Sequence, residues 1–267
     1  MEFSVKSGNP EKQRSDCLVI GVYEARRLSE AGKAVDEASG GFLTALLRRG
    51  DLEGRAGQTL LLHDVPNTLS ERVLLVGCGK EREFDSNAYR KAVTTAARTL
   101  NETGATNAVS YLAELHVKDR DSAWKVRDCV QTTTDALYVF DQLKSEKDKP
   151  RRPLKKLAIN VASQPEVADA ETAVKLGTAI AAGVKLAKDL GNLPGNICTP
   201  SYLADQAKAL KKQSRKLHVN VLEEAAMEKL GMGALLAVAR GSRQPAKLIV
   251  MDYRGGHKSD KPVVLVG

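Results

Sequence analysis

The sequence predicts an α/β fold, and three observations support that prediction. Short apolar runs of strand length alternate with longer segments in which apolar residues recur at helical spacing. The runs show little alternation with polar residues, which is typical of strands covered by helices on both faces of a sheet. The chain has 267 residues, which at roughly 100 to 200 residues per domain is about right for two domains.

The first part of the chain contains six runs predicted as strands and three segments predicted as helices. The strands are predicted at residues 3–5, 17–22, 59–62, 73–76, 108–112 and 157–161. The helices are predicted at residues 28–47, 87–100 and 122–140. Because strands and helices alternate along the chain, we expect the helices to pack on one central sheet.

Residues 144–156 form a charged segment that contains two prolines, so a continuous helix is not expected there. We interpret this segment as a solvated loop before the strand at 157–161. The alternative is a basic patch that contacts nucleic acid, and its members would be Arg151, Arg152, Lys155 and Lys156.

A long helix is predicted at residues 167–190, where Gly191 should end it. This helix is well placed to link two domains. The Asn-, Pro- and Gly-rich stretch that follows is not expected to be regular. Thr199 and Pro200 then read as the N-cap and first residue of another helix.

The remainder of the chain returns to short elements. Strands are predicted at 218–222, 247–253 and 262–266, with a helix at 223–230. The last run is typical of a buried parallel strand, and in open α/β sheets ligands lie beyond the carboxyl ends of such strands. We therefore expect the 267 residues to be a fragment of a longer protein.

The net charge of +8 is unevenly distributed. Residues 1–150 carry 22 basic and 23 acidic side chains, whereas residues 151–267 carry 19 basic and 10 acidic ones. A basic field attracts polyanions without specifying a sequence. The basic surplus of residues 151–267 would also arise if the acidic residues of the same domain lay in a part of the protein beyond this sequence. Both interpretations stay open.

Secretion and membrane insertion are not expected. The N-terminus lacks a charged segment followed by an apolar one, and no apolar run approaches 18 residues. The four cysteines are widely spaced and form no CxxC pair, which favours a reduced, cytoplasmic protein.

Common catalytic motifs are missing from the sequence. It contains neither GxSxG nor HExxH, and its four histidines are dispersed. The run Gly77-Cys-Gly-Lys80 lacks the spacing of a phosphate-binding loop, so we interpret it as a tight turn after a strand. The residues alone predict a fold but no complete active site.

Two segments nevertheless resemble one known family. Residues 192–204, NLPGNICTPSYLA, resemble the N-x-P-x-N-x-x-T-P-x-x-L-A segment that opens the catalytic domain of cytosolic leucyl aminopeptidases. Residues 232–242, MGALLAVARGS, resemble a second stretch of the same domain, and KLIVMDY at 247–253 and PVVLVG at 262–267 continue it. With the preceding α/β part, the resemblance covers essentially the whole chain.

The resemblance implies a domain organisation and an activity. Residues 1–163 would be a macro-domain-like α/β domain, residues 164–191 a linker helix, and residues 192–267 the incomplete beginning of an α/β catalytic domain. Members of the family are cytoplasmic hexamers that remove N-terminal residues, often leucine, from peptides. Two divalent metal ions, manganese or zinc, activate water in the full-length enzymes.

The resemblance also implies that this chain is inactive alone. The family's K-G-x-x-F-D-x-G-G and N-x-D-A-E-G-R motifs, which carry the metal ligands, are missing from the sequence. No catalytic residue and no metal ligand can therefore be assigned here, and we expect no bound metal. Asn192 and Asn196 are expected to hold their irregular loop by side-chain bonds to the backbone.

Two binding functions remain as alternatives. Bacterial members of the family can act as DNA-binding architectural or regulatory proteins, although the net charge of −1 across residues 1–150 does not favour this. The macro-like domain could instead bind ADP-ribose or another nucleotide, an inference from fold analogy alone.

Overall fold

The computed structural model describes residues 1–146, 152–257 and 259–267. Among them the chain forms two compact units, Met1–Ala187 and Lys188–Gly267. Arg151 and part of the charged segment at 144–156 lie outside the described residues.

The first unit is built on one mixed sheet. Its strands are β1 (Glu2–Lys6), β2 (Cys17–Tyr23), β3 (Arg27–Leu28), β4 (Thr59–His63), β5 (Arg72–Gly79), β6 (Asn107–Ser110) and β7 (Lys156–Asn160). Their order is β1-β7-β6-β2-β5-β4, with β3 paired to β2. The pairs β1/β7, β7/β6, β6/β2 and β2/β5 are parallel, whereas β3 and β4 are antiparallel to their neighbours.

Helices cover both faces of this sheet. They are α1 (Glu30–Ala38), α2 (Phe42–Arg49), α3 (Ser86–Glu102), α4 (Ser122–Ala136) and α5 (Val167–Asn192), of which the last belongs to the first unit as far as Ala187. The side chains of β2 alternate between the two cores. Val19 packs with residues of α3 and α4, whereas Ile20 packs with residues of α1 and α2. The predicted α/β fold with strands buried on both faces is confirmed.

The second unit contains α6 (Pro200–Gln213), β8 (Leu217–Glu223), α7 (Glu224–Lys229), α8 (Gly233–Ala239) and β9 (Lys247–Tyr253). β8 and β9 form a two-stranded antiparallel sheet. The predicted start of α6 is confirmed, because the Thr199 hydroxyl accepts a hydrogen bond from the backbone N–H of Tyr202 at 3.2 Å and Pro200 is the first helical residue.

Several predicted boundaries are wrong. The segment 28–47 forms two helices, because Gly40 and Gly41 adopt left-handed conformations with φ of 69° and 85° that interrupt a right-handed helix. The helix predicted at 122–140 ends at Ala136, and the strand predicted at 108–112 ends at Ser110. Gly191 does not end its helix, which extends to Asn192.

The strand predicted at 262–266 does not form. Residues 261–267 have no regular secondary structure, and the side chains of Val263 and Val266 are 88% and 93% exposed. A strand requires a hydrogen-bonded neighbour, and among the described residues no strand pairs with this segment. Its apolar pattern was therefore not sufficient to define a strand.

Candidate functional site

The carboxyl ends of β2 and β6 lie at a topological switch point of the sheet. From β2 the chain passes through α1 and α2 to β5 on one side, and from β6 it passes through α4 to β7 on the other. The helices of these two connections pack on opposite faces. In open α/β sheets this arrangement leaves a crevice beyond the strand ends, where ligands bind.

A pocket of about 160 Å³ occupies this crevice. We call it the switch-point pocket. Its lining residues come from the segments that follow β2, β5 and β6, and they are Tyr23, Arg27, Leu28, Ser29, Glu30, Ala31, Glu81, Tyr111, Glu114, Leu115 and His116.

The chain returns sharply after β2 to build one wall of the pocket. Ala25 and Arg26 both have φ of 62°, a left-handed conformation that is uncommon for residues other than glycine. The turn places β3 antiparallel to β2 and brings Ser29 to the start of α1. The Ser29 hydroxyl caps this helix by accepting a hydrogen bond from the N–H of Gly32 at 3.3 Å.

Glu114 is the half-buried carboxylate of the pocket. The side-chain amide of Asn160 donates a 2.6 Å hydrogen bond to it. Burial raises the pKa of Glu114 above its usual value, while the hydrogen bond from Asn160 and the positive charge of Lys125 oppose this rise. Lys125 donates its own hydrogen bond to the carbonyl of Leu115 at 3.0 Å.

Two tyrosines close the inner part of the pocket. Tyr111 donates a 2.7 Å hydrogen bond to the carbonyl of Gly8. Tyr23 is only 5% exposed, and its ring packs edge-on against Phe84, with 5.7 Å between the ring centroids. No hydrogen bond to its hydroxyl is found within the described parts of the chain. Burial raises the pKa of both phenols, so both are neutral at physiological pH.

The tight turn predicted at Gly77-Cys-Gly-Lys80 is wrong, because β5 extends to Gly79 and the backbone of this run is hydrogen-bonded to neighbouring segments. The N–H of Gly77 donates to the carbonyl of Gln58 and the N–H of Gly79 to that of Gly54, both at 2.8 Å. A Cβ at Gly77 would lie 2.1 Å from the carbonyl oxygen of Arg55. These amides are therefore not free to bind a phosphate.

The cysteines of the first unit are not activated thiols. Cys17, Cys78 and Cys129 are buried, and burial raises the pKa of each to about 12. Such thiols remain protonated and poorly nucleophilic. Within the ranges 1–146, 152–257 and 259–267, no group of three or more His, Cys, Asp and Glu residues is arranged to hold a metal ion.

The described residues among those proposed for nucleic-acid contact lie at the opposite end of the sheet from the pocket. Lys156 begins β7 and its ammonium forms a 3.0 Å ion pair with Glu2, while Lys155 and Arg152 are exposed in the preceding segment. Arg151 is outside the described residues. The ion pair neutralises part of this basic cluster, and the nucleic-acid interpretation stays a prediction.

Replacing Arg152, Lys155 and Lys156 together by alanine tests that interpretation. If this surface contacts DNA, each lost cation should reduce the slope of log K against log salt by about 0.9, measured by fluorescence anisotropy with duplex DNA. A slope that is the same before and after the substitutions would contradict the hypothesis.

The loop between α5 and α6 is held mainly by its backbone. The N–H groups of Ile197 and Cys198 both donate to the carbonyl of Pro194 at 2.9 Å. Asn196 is exposed and makes no side-chain hydrogen bond with any described residue, so the role expected for its side chain is not observed. A turn formed around Pro194 explains the conformation without it.

The fold thus defines an α/β chain in which a doubly wound domain precedes a smaller α/β unit that carries the motif-bearing loop. The profile described as "Cytosol aminopeptidase family, N-terminal domain" matches residues 19–147, and the one described as "Cytosol aminopeptidase family, catalytic domain" matches residues 185–267. The two matches together span most of the sequence. The chain belongs to the cytosol aminopeptidase family.

Curated relatives are similar over the whole chain. A probable cytosol aminopeptidase of Thioalkalivibrio sulfidiphilus is 60% identical over 267 residues, covering 100% of this chain and 54% of the relative. Another from Idiomarina loihiensis is 56% identical, with 53% of its length covered. The chain therefore spans about half the length of the curated relatives it matches.

Solved structures agree on the fold. A tomato leucine aminopeptidase mutant superimposes with a TM-score of 0.77 at 24% identity, covering 98% of this chain and 52% of the other. The bottromycin maturation enzyme BotP superimposes with a TM-score of 0.68 at 25% identity, covering 88% of this chain and 45% of BotP. These neighbours are consistent with an N-terminal domain followed by the start of a catalytic domain.

No helix among the described residues is long and apolar enough to cross a membrane.

Proposed function

We propose that these 267 residues are part of a metal-dependent aminopeptidase that removes N-terminal residues, preferably leucine, from peptides in the cytoplasm. The observation that carries the proposal is the 60% identity to a probable cytosol aminopeptidase over the entire chain. In this proposal residues 1–163 form the N-terminal domain, 164–191 the linker helix and 192–267 the first part of the catalytic domain. The full-length protein would act as a hexamer.

The residues in hand do not fit a catalytic metal pair, because the described parts of the chain contain no cluster of potential ligands. Two divalent ions, manganese or zinc, would supply the activated water in the full-length protein. A structure of BotP, a distant neighbour, is described as a complex with Mn. We therefore assign no catalytic step to any residue of this chain and propose that the chain is inactive alone.

Exposed apolar surface in the second unit supports a larger catalytic domain. Leu230, Val238 and Tyr253 are 62%, 86% and 65% exposed. The three valines of the irregular segment 261–267 are also largely exposed, at 75% to 93%. Large apolar side chains exposed together are typical of surfaces that another part of a protein covers. The relatives, nearly twice as long, contain additional sequence that could cover them.

A chimera tests the proposed activity. Residues 1–267 would be followed by the remaining C-terminal part of the Thioalkalivibrio relative, and hydrolysis of leucine p-nitroanilide would be measured with added Mn²⁺ or Zn²⁺. We expect the chimera to release p-nitroaniline and the 267-residue chain to give only the background rate. Treatment of the chimera with a chelator should abolish the activity, because the metal ions would activate the water that attacks the peptide bond.

Two outcomes would contradict the proposal. A folded, metal-loaded chimera that leaves the substrate intact would reject the aminopeptidase assignment. Hydrolysis by the 267-residue chain alone at a rate comparable to the chimera would reject its proposed inactivity.

A further inference from the structure

The proposed peptidase activity assigns no role to the switch-point pocket. We propose that it binds a small organic ammonium ion, with the carboxylate of Glu114 as the counter-charge and the hydroxyl of Tyr23 as a hydrogen-bond acceptor. The inference does not depend on the aminopeptidase proposal, because all of its residues lie in the first unit.

Charge in the pocket favours a cation. Three carboxylates line it, those of Glu30, Glu81 and Glu114. Two already have partners, since Glu81 pairs with Arg27 at 2.5 Å and Glu30 pairs with Lys33 at 2.6 Å. The remaining carboxylate, that of Glu114, has no cationic nitrogen within 4 Å among the described residues. A phosphate would meet this excess of negative charge, so an anionic ligand is disfavoured.

Glu114 is prepared to pair with an incoming charge. It is half-buried, and one of its oxygens accepts the 2.6 Å bond from Asn160, which fixes the position of the carboxyl group. A partly buried carboxylate without an ion pair is less stable than one in water. Burial raises the pKa of Glu114 because the ionised form loses contact with water. A cation bound beside the carboxylate would offset this loss.

Tyr23 is the second group that lacks a partner. The residue is only 5% exposed and lines the pocket, and no described residue bonds to its hydroxyl. The hydroxyl oxygen is not among the buried atoms that lack a hydrogen-bond partner, so it keeps some solvent exposure and is open to a ligand in the pocket. An ammonium group has several N–H donors and could bond to this oxygen and to Glu114 together.

The size and walls of the pocket restrict the rest of the ligand. Its volume is about 160 Å³. A cavity of about 150 Å³ accommodates benzene, so a ligand of about six to eight non-hydrogen atoms is expected. Leu28, Ala31 and Leu115 provide apolar contact for a short alkyl or aryl body. A whole nucleotide is too large for this volume as well as wrongly charged.

A titration of the 267-residue chain with 3-methylbutylammonium chloride tests the inference. Backbone amide shifts in ¹H–¹⁵N spectra should move saturably for residues that line the pocket. The neutral alcohol of the same shape, 3-methylbutan-1-ol, should bind about tenfold more weakly, because it cannot form the charged pair. ADP-ribose and inorganic phosphate should not shift these resonances.

Three variants sharpen the result. Glu114→Gln should weaken ammonium binding about tenfold and Tyr23→Phe about threefold, since the first removes a charged hydrogen bond and the second a neutral one. The matched control is Glu83→Gln, because Glu83 lies outside the pocket lining and pairs with Lys80 at 3.1 Å. Its affinity should equal that of the original chain.

The inference is wrong if the alcohol binds as tightly as the ammonium ion, if Glu114→Gln leaves the affinity unchanged, or if phosphate or ADP-ribose competes for the pocket. Should Glu114→Gln fail to fold, Tyr23→Phe decides. It removes a hydroxyl that bonds to no described residue and keeps the ring packed on Phe84. An unaltered affinity in this folded variant would overturn the proposal.

Discussion

Replacing Gly54 by alanine is expected to destabilise the first unit by more than about 3 kcal/mol, one of the largest effects of a single methyl group in this structure. Gly54 has φ of 82°, and a left-handed conformation costs an alanine about 1 kcal/mol or more. The added Cβ would also lie 2.0 Å from the carbonyl oxygen of Tyr23. The carbonyl oxygen belongs to the backbone and not to a flexible side chain, so the backbone would have to move to relieve the overlap.

Gly104→Ala is the matched control for this substitution. Gly104 also has a left-handed conformation, with φ of 76°, but nothing lies within 4 Å of the position of its Cβ. This variant should lose about 1 kcal/mol of unfolding free energy, which is the cost of the left-handed conformation alone. Urea unfolding followed by fluorescence measures both, because Trp124 is the single tryptophan and lies in the first unit. Equal losses at the two glycines would show that the contact with Tyr23 is unimportant.

The substitution has a structural consequence beyond stability. Gly54 accepts a hydrogen bond from Gly79, so its loop is attached to the end of β5. The place that a Cβ of Gly54 would occupy is filled by the carbonyl of Tyr23, so the loop also passes close to the end of β2, next to the switch-point pocket. A backbone shift at Gly54 should therefore disturb the pocket resonances even in a population that remains folded.

Much of the fold could be predicted from sequence because the determining interactions are local. The Thr199–Pro200 helix start depends on one hydroxyl and the adjacent backbone. The strand β2 is recognisable because nearly every residue from Cys17 to Val22 is apolar, as burial on both faces requires. Errors occurred where one local signal overrode another. Apolar spacing suggested a single helix across 28–47, although Gly40-Gly41 marked the break.

The candidate pocket was harder to predict because its residues are distant in sequence. Tyr23 and Glu114 are brought together only by the parallel pairing of β2 with β6. Their positions, just after two predicted strands, were the available signal. No such signal marked Asn160, because nothing in the neighbouring sequence indicates that its side-chain amide donates a hydrogen bond to Glu114. The failed strand at 262–266 has the same origin, because pairing is not a local property.

The amino ends of the same two strands are joined by Asp16, and replacing it by asparagine should cost about 2–3 kcal/mol. Its carboxylate accepts hydrogen bonds from the N–H and hydroxyl of Thr106 at 2.7 and 2.8 Å. It also accepts bonds from the N–H and side-chain amide of Asn107 at 3.3 and 2.6 Å. An asparagine would place an amide donor among these donors and leave some of them unpaired.

The pH dependence of this effect has a defined direction. Burial alone would raise the pKa of Asp16, but the hydrogen bonds from Thr106 and Asn107 outweigh it, and the pKa falls below the ordinary value of 3.8. A carboxyl group with a lowered pKa in the folded state stabilises the fold above the ordinary pKa. This contribution is lost as the pH falls through the lower, folded value.

The difference in unfolding free energy between the original chain and Asp16→Asn should therefore be constant from about pH 5 to 8 and should shrink below about pH 4. Trp124 fluorescence in urea at several pH values measures it. Asp51→Asn is the control, because Asp51 is exposed and has no described partner, and it should change stability by less than about 0.5 kcal/mol. A difference for Asp16→Asn that persists undiminished to pH 2 would contradict the role of its charge, because the contribution of the carboxylate must decline once the pH falls below the ordinary pKa of 3.8.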